Sequence, residues 1–362
     1  SLYKTKFKDT EYDRDVEIDK SIALIDKLER ERSLGLEEYK YLVENLNEEV
    51  FEYISKKARI LGDENYGKDI YLRGLIEISN ICKNDCYYCG IRHSNKNCDR
   101  YRLSDEEIIE CADEGYRLGY RTFVMQGGED GKFEPDYICS IVKKIKEKYK
   151  DVAVTLSLGE YEKEDYQKMF DAGADRYLLR HETADKEHYE KLHPKQMSFE
   201  HRMKCLQDLK DIGFQVGCGF MVGSPYQTST TLAKDLKFIE EFGPHMCGIG
   251  PFIPHHDTAF KDEKSGSIQM TLFLIAILRI MRPKMLIPAT TSLSTLDNLG
   301  IEKGILAGAN VVMPNLSPLK TRKKYELYDG KVCTGDEAAH CIGCITNRIN
   351  NIGYGVAKVR GD

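Results

Sequence analysis

The sequence predicts an α/β fold of the (βα)8 or TIM-barrel type, with an N-terminal helical cap and a C-terminal extension that carries cysteines. From Tyr71 onward, short apolar runs alternate with stretches of helical periodicity, a pattern typical of βα units around a parallel sheet. The 362 residues are enough for one such barrel with appendages. The last units are weakly marked, so a shorter or incompletely closed barrel remains an alternative.

The apolar runs predict eight barrel strands and the amphipathic stretches predict seven helices between them. The predicted strands are 72–78, 122–126, 153–158, 176–180, 215–220, 246–250, 285–288 and 310–313. The predicted helices are 104–118, 135–149, 164–171, 199–212, 230–241, 267–280 and 296–307. Because the reactive groups of such barrels lie on loops after the carboxyl ends of the strands, the residues that follow these strands are the first candidates for a site.

The residues before the first strand have a different pattern. Apolar residues recur at helical spacing between residues 15 and 62, among frequent charges, which predicts an N-terminal helical cap. We therefore divide the chain into a helical cap (1–66), a barrel (67–320) and a C-terminal extension (321–362).

The composition indicates which partners and which cellular compartment to expect for this chain. The net charge of −6 gives no reason to expect nucleic acid as a partner. No run is long and apolar enough for a membrane span, and the most apolar stretch, 270–281, predicts a buried helix. Twelve cysteines without an export signal predict a reducing cytoplasm, where thiols bind metal instead of forming disulfides.

Three cysteines in one loop are the most specific chemical signal. Cys82, Cys86 and Cys89 have the spacing Cys-x3-Cys-x2-Cys directly after the first predicted strand. A four-iron cluster normally takes four cysteines, so three would leave one iron open to another ligand. A structural zinc site is disfavoured because no second cysteine or histidine pair is near. With Tyr88 before the last cysteine, the loop resembles that of radical S-adenosylmethionine (SAM) enzymes, which implies a 4Fe–4S cluster and SAM as cofactors.

Glycines follow the second predicted strand. Gly127, Gly128 and Glu129 would lie beside the cysteine loop at the barrel mouth. Glycine lets the backbone approach a ligand closely, and backbone carbonyls there could accept from the SAM amino group. An ordinary turn at a strand end is the alternative, and the neighbouring cysteine loop favours the cofactor site.

Arg180, Glu182 and Arg202 form a candidate charged set. An arginine can hold a carboxylate with two hydrogen bonds, and Glu182 could accept from a ribose hydroxyl or an ammonium group. Arg180 ends an apolar strand, where burial without a partner would be costly. Arg202 lies early in a helix, and the sequence leaves open whether it is functional or merely solvated.

A second cysteine group lies near the C-terminus. Cys333, Cys341 and Cys344 have the spacing Cys-x7-Cys-x2-Cys and could hold a 2Fe–2S cluster, a 4Fe–4S cluster or zinc. A redox-active disulfide between Cys341 and Cys344 is a further alternative. We expect this second site to be accessory, because it follows the last barrel strand.

Beyond the cysteine loop, seven further segments resemble one family across most of the chain. They are 126–130, 154–160, 175–184, 221–223, 248–255, 287–291 and 308–310. The family is that of the FeFe-hydrogenase maturase HydE, which is related to biotin synthase and methylornithine synthase. The C-terminal cysteine spacing also resembles that of some members.

The resemblance implies a (βα)8 barrel with an internal cavity and a set of site residues. The residues implied to lie at SAM are Thr155, Ser157, Arg180, Glu182 and Arg202. Those implied to line the substrate side are Thr290, Thr291 and Tyr325. Tyr226 departs from the family, which has glycine there.

The resemblance also implies a substrate and partners. The substrate would be a small cysteine-bound Fe(CO)2(CN) complex, supplied by another hydrogenase maturase and delivered towards the scaffold maturase. A reductase, flavodoxin or ferredoxin would donate electrons. Two alternatives remain: a radical SAM enzyme that acts on an amino acid, like methylornithine synthase, and a non-catalytic iron–sulfur carrier. A carrier has no need of a SAM pocket.

Overall fold

The structure, a computed structural model, describes residues 11–332 and 337–361, apart from the side chains of residues 11–15 and 337–342. Its helices are α1 Glu11–Glu31, α2 Leu36–Glu44, α3 Glu48–Tyr66, α4 Asp105–Arg117, α5 Pro135–Lys148, α6 Lys163–Asp171, α7 Lys186–Leu192, α8 Phe199–Ile212, α9 Ser229–Phe242, α10 Ile268–Met281, α11 Thr291–Leu296, α12 Gly300–Ala307, α13 Leu319–Arg322 and α14 Glu337–Asn351. Its strands are β1 Asp69–Leu72, β2 Gly74–Ser79, β3 Thr122–Gly127, β4 Ala153–Ser157, β5 Arg176–Leu178, β6 Gln215–Val222, β7 Met246–Pro251, β8 Val311–Val312 and β9 Gly355–Ala357.

Eight parallel segments form a closed ring. Strands β2 to β7 pair in chain order as one parallel sheet. Three single bridges complete the ring, Met246 with Leu286, Pro288 with Val311, and Leu75 with Asn315. The predicted (βα)8 barrel is therefore confirmed. Its seventh and eighth segments, which are weakly marked in the sequence, join the ring through single bridges only.

The amino end of the barrel is covered by a small sheet and by the C-terminal segment. Strand β1 pairs in parallel with β8 and with β9, two pairings that the sequence analysis missed. The carbonyl of Arg360 accepts from Thr122 Oγ1 at the start of β3 (3.1 Å) and from Arg176 Nη2 at the start of β5 (2.9 Å). The carboxyl ends of the strands therefore form the open mouth, where barrels of this type place their reactive groups.

The N-terminal helices form as predicted and pack on the outside of the barrel. Helix α2 contacts α9, and α3 contacts α10 and α12. Ile25, Leu28, Tyr39 and Ile54 are completely buried in the same hydrophobic core as the barrel helices. The division into segments 1–66, 67–320 and 321–362 stays a prediction.

Helix α10 is the most apolar helix of the fold. Every residue from Met270 to Met281 is buried, which confirms the predicted buried helix. Among the described residues, none of the helices combines the length and the apolar character needed to cross a bilayer.

One predicted helix begins later than expected. The sequence predicted a helix over 296–307, whereas α12 begins only at Gly300, and the short helix α11, which was not predicted, ends at Leu296. Asp297 is extended (ψ 122°), its carboxylate accepts from the Leu299 N–H (2.8 Å), and its carbonyl accepts from the Gly300 N–H (2.9 Å). These local bonds replace the helical ones, as aspartate commonly does at chain turns.

Candidate active site at the barrel mouth

The cysteine loop follows β2 and is held by a network centred on Arg100. The Arg100 guanidinium donates to four backbone carbonyls, those of Asn80, Ile91, Arg92 and Asn95, at 2.6 to 3.2 Å. The Asp85 carboxylate accepts from the N–H and the hydroxyl of Ser94, both at 2.7 Å. The backbone on both sides of the three cysteines is therefore held by Arg100, and Asp85, which lies between Cys82 and Cys86, joins the loop to Ser94.

The three loop thiols are close enough to affect one another's ionisation. Burial, followed by the charges of Cys89 and Cys82, raises the pKa of Cys86 well above its ordinary value. Burial, with a contribution from Cys82, raises the pKa of Cys89 to about 12. Three neighbouring, half-buried thiolates would repel one another, and an iron–sulfur cluster takes cysteine as thiolate and offsets that repulsion. This donor set fits a cluster.

Glycine is required directly beside the cysteines. A Cβ at Gly128 would overlap the Ile81 carbonyl and the Cβ of Cys82, so a side chain there would displace the loop. The loop and the glycine turn are also joined by a hydrogen bond from the Lys83 N–H to the Glu129 carbonyl (3.0 Å). The predicted proximity of this glycine turn and the cysteine loop is confirmed.

Two buried polar atoms on neighbouring barrel units have no hydrogen-bond partner in the structure. They are Oγ1 of Thr155 on β4 and Nε of Arg202 on α8. Through its other nitrogens, Arg202 donates to the Arg180 carbonyl (3.3 Å) and lies 3.3 Å from a Glu160 carboxylate oxygen. Buried polar groups normally have partners because desolvating them is costly. Other buried polar atoms of the fold also have no partner, so these two indicate a position for a polar ligand only together with the neighbouring cysteine loop and glycine turn.

Glu182 combines backbone strain with a buried charge. Its φ is +66°, in the left-handed region that is unfavourable for residues other than glycine. Its N–H donates to the Gly219 carbonyl on β6 (3.0 Å), which holds this conformation. Burial disfavours ionisation of Glu182, but the positive charges of Arg180 and Arg202 lower its pKa below the ordinary value. Strain of this kind is concentrated at functional sites.

The solvent exposure of Arg180 and Arg202 differs from what the sequence suggested. Arg180 was expected to be buried at the end of its strand, but β5 ends at Leu178 and 45% of the Arg180 side chain is exposed. Its Nε lies 2.9 Å from Glu182 Oε1. Arg202, for which solvation was an open alternative, has only 10% of its side chain exposed. Arg180 therefore lies at the rim of the mouth, and Arg202 lies behind it.

Tyr88 is fixed by a histidine. Its hydroxyl lies 2.9 Å from His193 Nε2, and His193 Nδ1 lies 2.8 Å from the Tyr189 carbonyl. Because a carbonyl only accepts, Nδ1 carries the ring proton and Nε2 accepts from Tyr88. Burial lowers the pKa of His193 to about 4, which keeps the ring neutral at physiological pH.

The residues predicted for the substrate side lie on two parts of the mouth. Thr290 Oγ1 is 3.3 Å from Ser292 Oγ, and a Cβ at Gly250, near the end of β7, would overlap both hydroxyls. Thr291 begins α11. Tyr325 is buried, and burial, followed by the charge of Glu77, raises its pKa well above the ordinary value. The threonines thus belong to the β7 side and Tyr325 to the β2 side.

A buried ion pair beside Tyr325 was missed by sequence reasoning. Lys331 Nζ lies 2.5 Å from Glu77 Oε2 on β2, and the two side chains are 9% and 1% exposed. The same ammonium donates to the Tyr325 carbonyl (2.8 Å) and lies 4.8 Å from the centroid of its ring. The available signal was a glutamate inside the apolar run Leu75-Ile-Glu-Ile78, since buried glutamates are rare unless paired.

The C-terminal cysteines are only partly described. Cys333 and the side chain of Cys341 lie outside the described residues. Cys344 is exposed on α14.

Ser157, the last predicted SAM neighbour, ends β4 in register with Gln126 of β3.

A barrel whose mouth holds three cysteines in one loop, a glycine turn against them and partnerless buried polar atoms defines a radical SAM enzyme, with a 4Fe–4S cluster and SAM as cofactors. The family model described as Radical SAM superfamily matches residues 76–239. The chain is 45% identical to FeFe hydrogenase maturase subunit HydE of Thermotoga maritima over 91% of this chain and 94% of that protein. The chain belongs to the HydE family of FeFe-hydrogenase maturases.

Other similar proteins are methylornithine synthases and a second hydrogenase maturase. The chain is 31% identical to a 3-methylornithine synthase of Methanosarcina acetivorans, over 77% of this chain and 80% of that protein. The crystal structure of methylornithine synthase matches with a TM-score of 0.80 at 27% identity, covering 92% of this chain and 97% of that one. The crystal structure of the maturase HydG, at 21% identity and a TM-score of 0.79, covers 96% of this chain and 80% of that one, and shares the fold.

Proposed function

We propose that this enzyme acts on a small cysteine-bound Fe(CO)2(CN) precursor during assembly of the H-cluster of FeFe-hydrogenase. When bound, the cluster and SAM supply a one-electron cleavage of the sulfur–C5′ bond, which yields methionine and a 5′-deoxyadenosyl radical. The observation that carries the SAM assignment is the pair of partnerless buried atoms, Thr155 Oγ1 and Arg202 Nε, together with the strained Glu182.

We assign the SAM-binding roles from charge and position. Cys82, Cys86 and Cys89 would hold the cluster. Glu182, ionised and buried, suits the ribose hydroxyls or the amino group of SAM, and Arg180 at the rim suits a carboxylate. The remaining residues proposed to line the cofactor are Tyr88, Gly127, Gly128, Glu129, Thr155, Ser157 and Arg202.

We assign the substrate side to Tyr325, Thr290 and Thr291. Hydroxyl groups can donate to the cyanide nitrogen or to a carboxylate of the complex. The Glu77–Lys331 pair beside Tyr325 supports a polar cavity, because these two charges neutralise each other and Lys331 keeps one N–H that donates neither to Glu77 nor to the Tyr325 carbonyl. The proposal has four further parts. Other hydrogenase maturases would act as supplier and scaffold, and a flavodoxin, ferredoxin or reductase would donate electrons. The C-terminal cysteines would hold a second cluster, and the enzyme would work in the cytoplasm.

Anaerobic turnover tests the proposal. Cluster-loaded enzyme is given SAM, a one-electron reductant and either the cysteine-bound Fe(CO)2(CN) complex or lysine, the unbranched isomer of 3-methylornithine. We expect 5′-deoxyadenosine and a substrate-derived radical, seen by electron paramagnetic resonance (EPR), with the iron complex only. Release of 3-methylornithine from lysine would identify an amino-acid enzyme instead. Absence of reductive SAM cleavage under every condition would leave an iron–sulfur carrier.

A further inference from the structure

A group of metal-ligating side chains lies outside the site described above. Imidazole nitrogens of His255 and His256 and carboxylate oxygens of Glu326 and Asp329 all lie within 4.8 Å of one another. The shortest separations are 2.6 Å, from His256 Nδ1 to Asp329 Oδ1, and 3.0 Å, from His255 Nε2 to Glu326 Oε1. Two carboxylates this close repel each other unless a cation or a donor lies between them.

Two separate loops contribute these four residues. The histidines follow β7, and the acids lie in the loop after α13, which also carries Tyr325. The loops are already joined by a backbone hydrogen bond from the Asp329 N–H to the Pro254 carbonyl (3.1 Å). The ligand positions are therefore set by backbone contacts and not by the side chains alone.

The two imidazole rings are oriented differently. His256 Nδ1 faces Asp329 and its Nε2 lies 3.2 Å from Asp257 Oδ2. A carboxylate on the second nitrogen is the usual support for a metal-binding histidine. His255 Nδ1 instead accepts from the Asp257 N–H (3.0 Å), so its Nε2 carries the proton and donates to Glu326. His255 is thereby an orienting residue.

We propose that His256 Nδ1 and the carboxylates of Glu326 and Asp329 form a binding site for one divalent first-row metal cation, with His255 orienting Glu326. One imidazole and two carboxylates suit Mn²⁺, Fe²⁺ or Zn²⁺ and leave positions for water. His256 is 63% exposed at its side chain, so a cation can enter from solvent.

A cation here would join the loop that carries Tyr325 to the loop after β7. Gly90, the residue after Cys89, packs directly against this point, since a Cβ there would overlap the Glu326 carbonyl and crowd the His255 ring. The Gly90 N–H also donates to the Leu327 carbonyl (2.9 Å). The proposed site therefore lies at the rim of the mouth, where a bound cation would link the two loops, and it is distinct from the three cluster cysteines.

Manganese is the probe that isolates this site. Mn²⁺ prefers oxygen ligands such as carboxylates and water over thiolates, so the C-terminal cysteines compete little for it. Free Mn²⁺ gives a six-line EPR spectrum, and the oxidised 4Fe–4S cluster is diamagnetic. Cluster-loaded protein is titrated anaerobically, and we expect the six-line signal of the first equivalent to be lost. Zn²⁺, which binds nitrogen and oxygen sites more tightly, should restore it.

Three variants decide the assignment. His256→Ala and Asp329→Asn should each weaken the tightest Mn²⁺ binding at least tenfold, and Asp262→Asn, an exposed acid nearby in sequence, should not. Mn²⁺ should also raise the thermal unfolding temperature of wild type and Asp262→Asn but not of His256→Ala. If wild type binds no Mn²⁺, or if either ligand variant binds it as tightly as wild type, the proposal is overturned.

Discussion

At the scale of single residues, the charged side chains at the mouth differ in burial, and burial changes the strength of their electrostatic interactions. Arg202 is nearly enclosed, whereas Arg180 is almost half exposed although both lie near Glu182. An enclosed charge interacts through a low effective dielectric, while solvent screens an exposed one. Arg202 is therefore expected to contribute to the stability of the fold as well as to the cofactor site. Arg180 is expected to contribute to ligand binding and, as the main counter-charge of the buried Glu182, to stability.

Replacing Cys82, Cys86 and Cys89 together by alanine should abolish reductive SAM cleavage. No other ligand set in the described loop can hold a cluster with one open iron. The measurement is 5′-deoxyadenosine release from anaerobically reconstituted protein, together with its iron content. Cys139→Ala, a buried cysteine on the outer helix α5, is the control. Undiminished release from the triple variant would remove the basis of the SAM assignment.

Arg180→Ala should weaken SAM or substrate binding about tenfold or more and should also lower stability. A charge-assisted contact to a carboxylate would be lost, and Glu182, which is only 6% exposed, would lose the counter-charge that favours its ionisation. Binding isotherms for each ligand and urea unfolding separate the two effects. Arg117→Ala, which removes an exposed arginine paired with Glu114 on α4, is the matched control. Wild-type isotherms for both ligands would make Arg180 structural.

At the scale of elements, helix α9 holds the strained turn that carries Glu182. Asp235 Oδ1 on α9 accepts from His181 Nε2 (3.0 Å) and from the Ala184 N–H (2.8 Å). His181 Nδ1 in turn accepts from the Gly219 N–H on β6 (3.3 Å). Glu182 is thus fixed from both sides, by residues that do not themselves face the mouth.

Asp235→Ala should therefore lower both stability and SAM affinity. Two buried donors would lose their acceptor, at a cost of about 1–3 kcal/mol each. Asp235→Asn keeps one oxygen acceptor and should recover most of both losses. Urea unfolding gives the free energy of unfolding, and a SAM isotherm gives the affinity. Equal SAM affinity in wild type and Asp235→Ala would show that Glu182 does not depend on α9.

A second buried histidine joins α7 to the loop after β6. His188 Nε2 lies 2.9 Å from the Pro225 carbonyl and its Nδ1 lies 3.0 Å from Thr183 Oγ1. Burial lowers the pKa of His188 below its ordinary 6.5. The unfolded chain then takes up the proton first as pH falls, so this contribution to stability is complete above about pH 6.5 and is lost below it.

The free energy of unfolding should accordingly fall more steeply between pH 7.5 and pH 6.0 in wild type than in His188→Gln, which cannot titrate. Urea unfolding of cluster-loaded protein at the two pH values measures both slopes. Comparing slopes, and not absolute stabilities, removes the constant effect of the substitution. Parallel slopes would mean that His188 titrates in the folded protein as it does in the unfolded chain.

At the scale of the whole molecule, the C-terminal extension returns to the barrel after passing the mouth. The Arg348 guanidinium on α14 pairs with Glu302 on α12, its Nη2 lying 3.0 Å from Glu302 Oε2. Strand β9 then pairs with β1, and the Arg360 carbonyl reaches the starts of β3 and β5. The extension therefore spans from the open end of the barrel to its closed end.

Replacing Cys333, Cys341 and Cys344 together by alanine should reduce the iron content of the protein and leave SAM cleavage largely intact. Cys344 is exposed on α14, away from the three loop cysteines in sequence and on the surface of the fold. Iron analysis and 5′-deoxyadenosine release are measured on the same sample. Intact SAM binding without cleavage would identify an electron relay instead, and unchanged iron would show that these cysteines hold none.

Local patterns were sufficient for the barrel and for the cluster loop. The strand spacing, the cysteine spacing of residues 82–89 and the glycines at 127 and 128 are properties of short segments, and each predicted strand has its counterpart in the ring. Tyr226, at a position where the resemblance implies glycine, takes a positive φ of 65°. Backbone periodicity and ligand spacing can be recognised before the chain folds, because neighbours in sequence determine them.

Three features of the site are determined only by the tertiary structure. These are the burial of Arg202, the exposure of Arg180 and the pairing of Glu77 with Lys331. Glu77 and Lys331 are 254 residues apart in the chain, and neither segment indicates by its own pattern that it will meet the other. Closure of the ring brings β2 against the loop after α13 and excludes water from both charges. Pairing and burial depend on that approach of distant segments, which no local periodicity encodes.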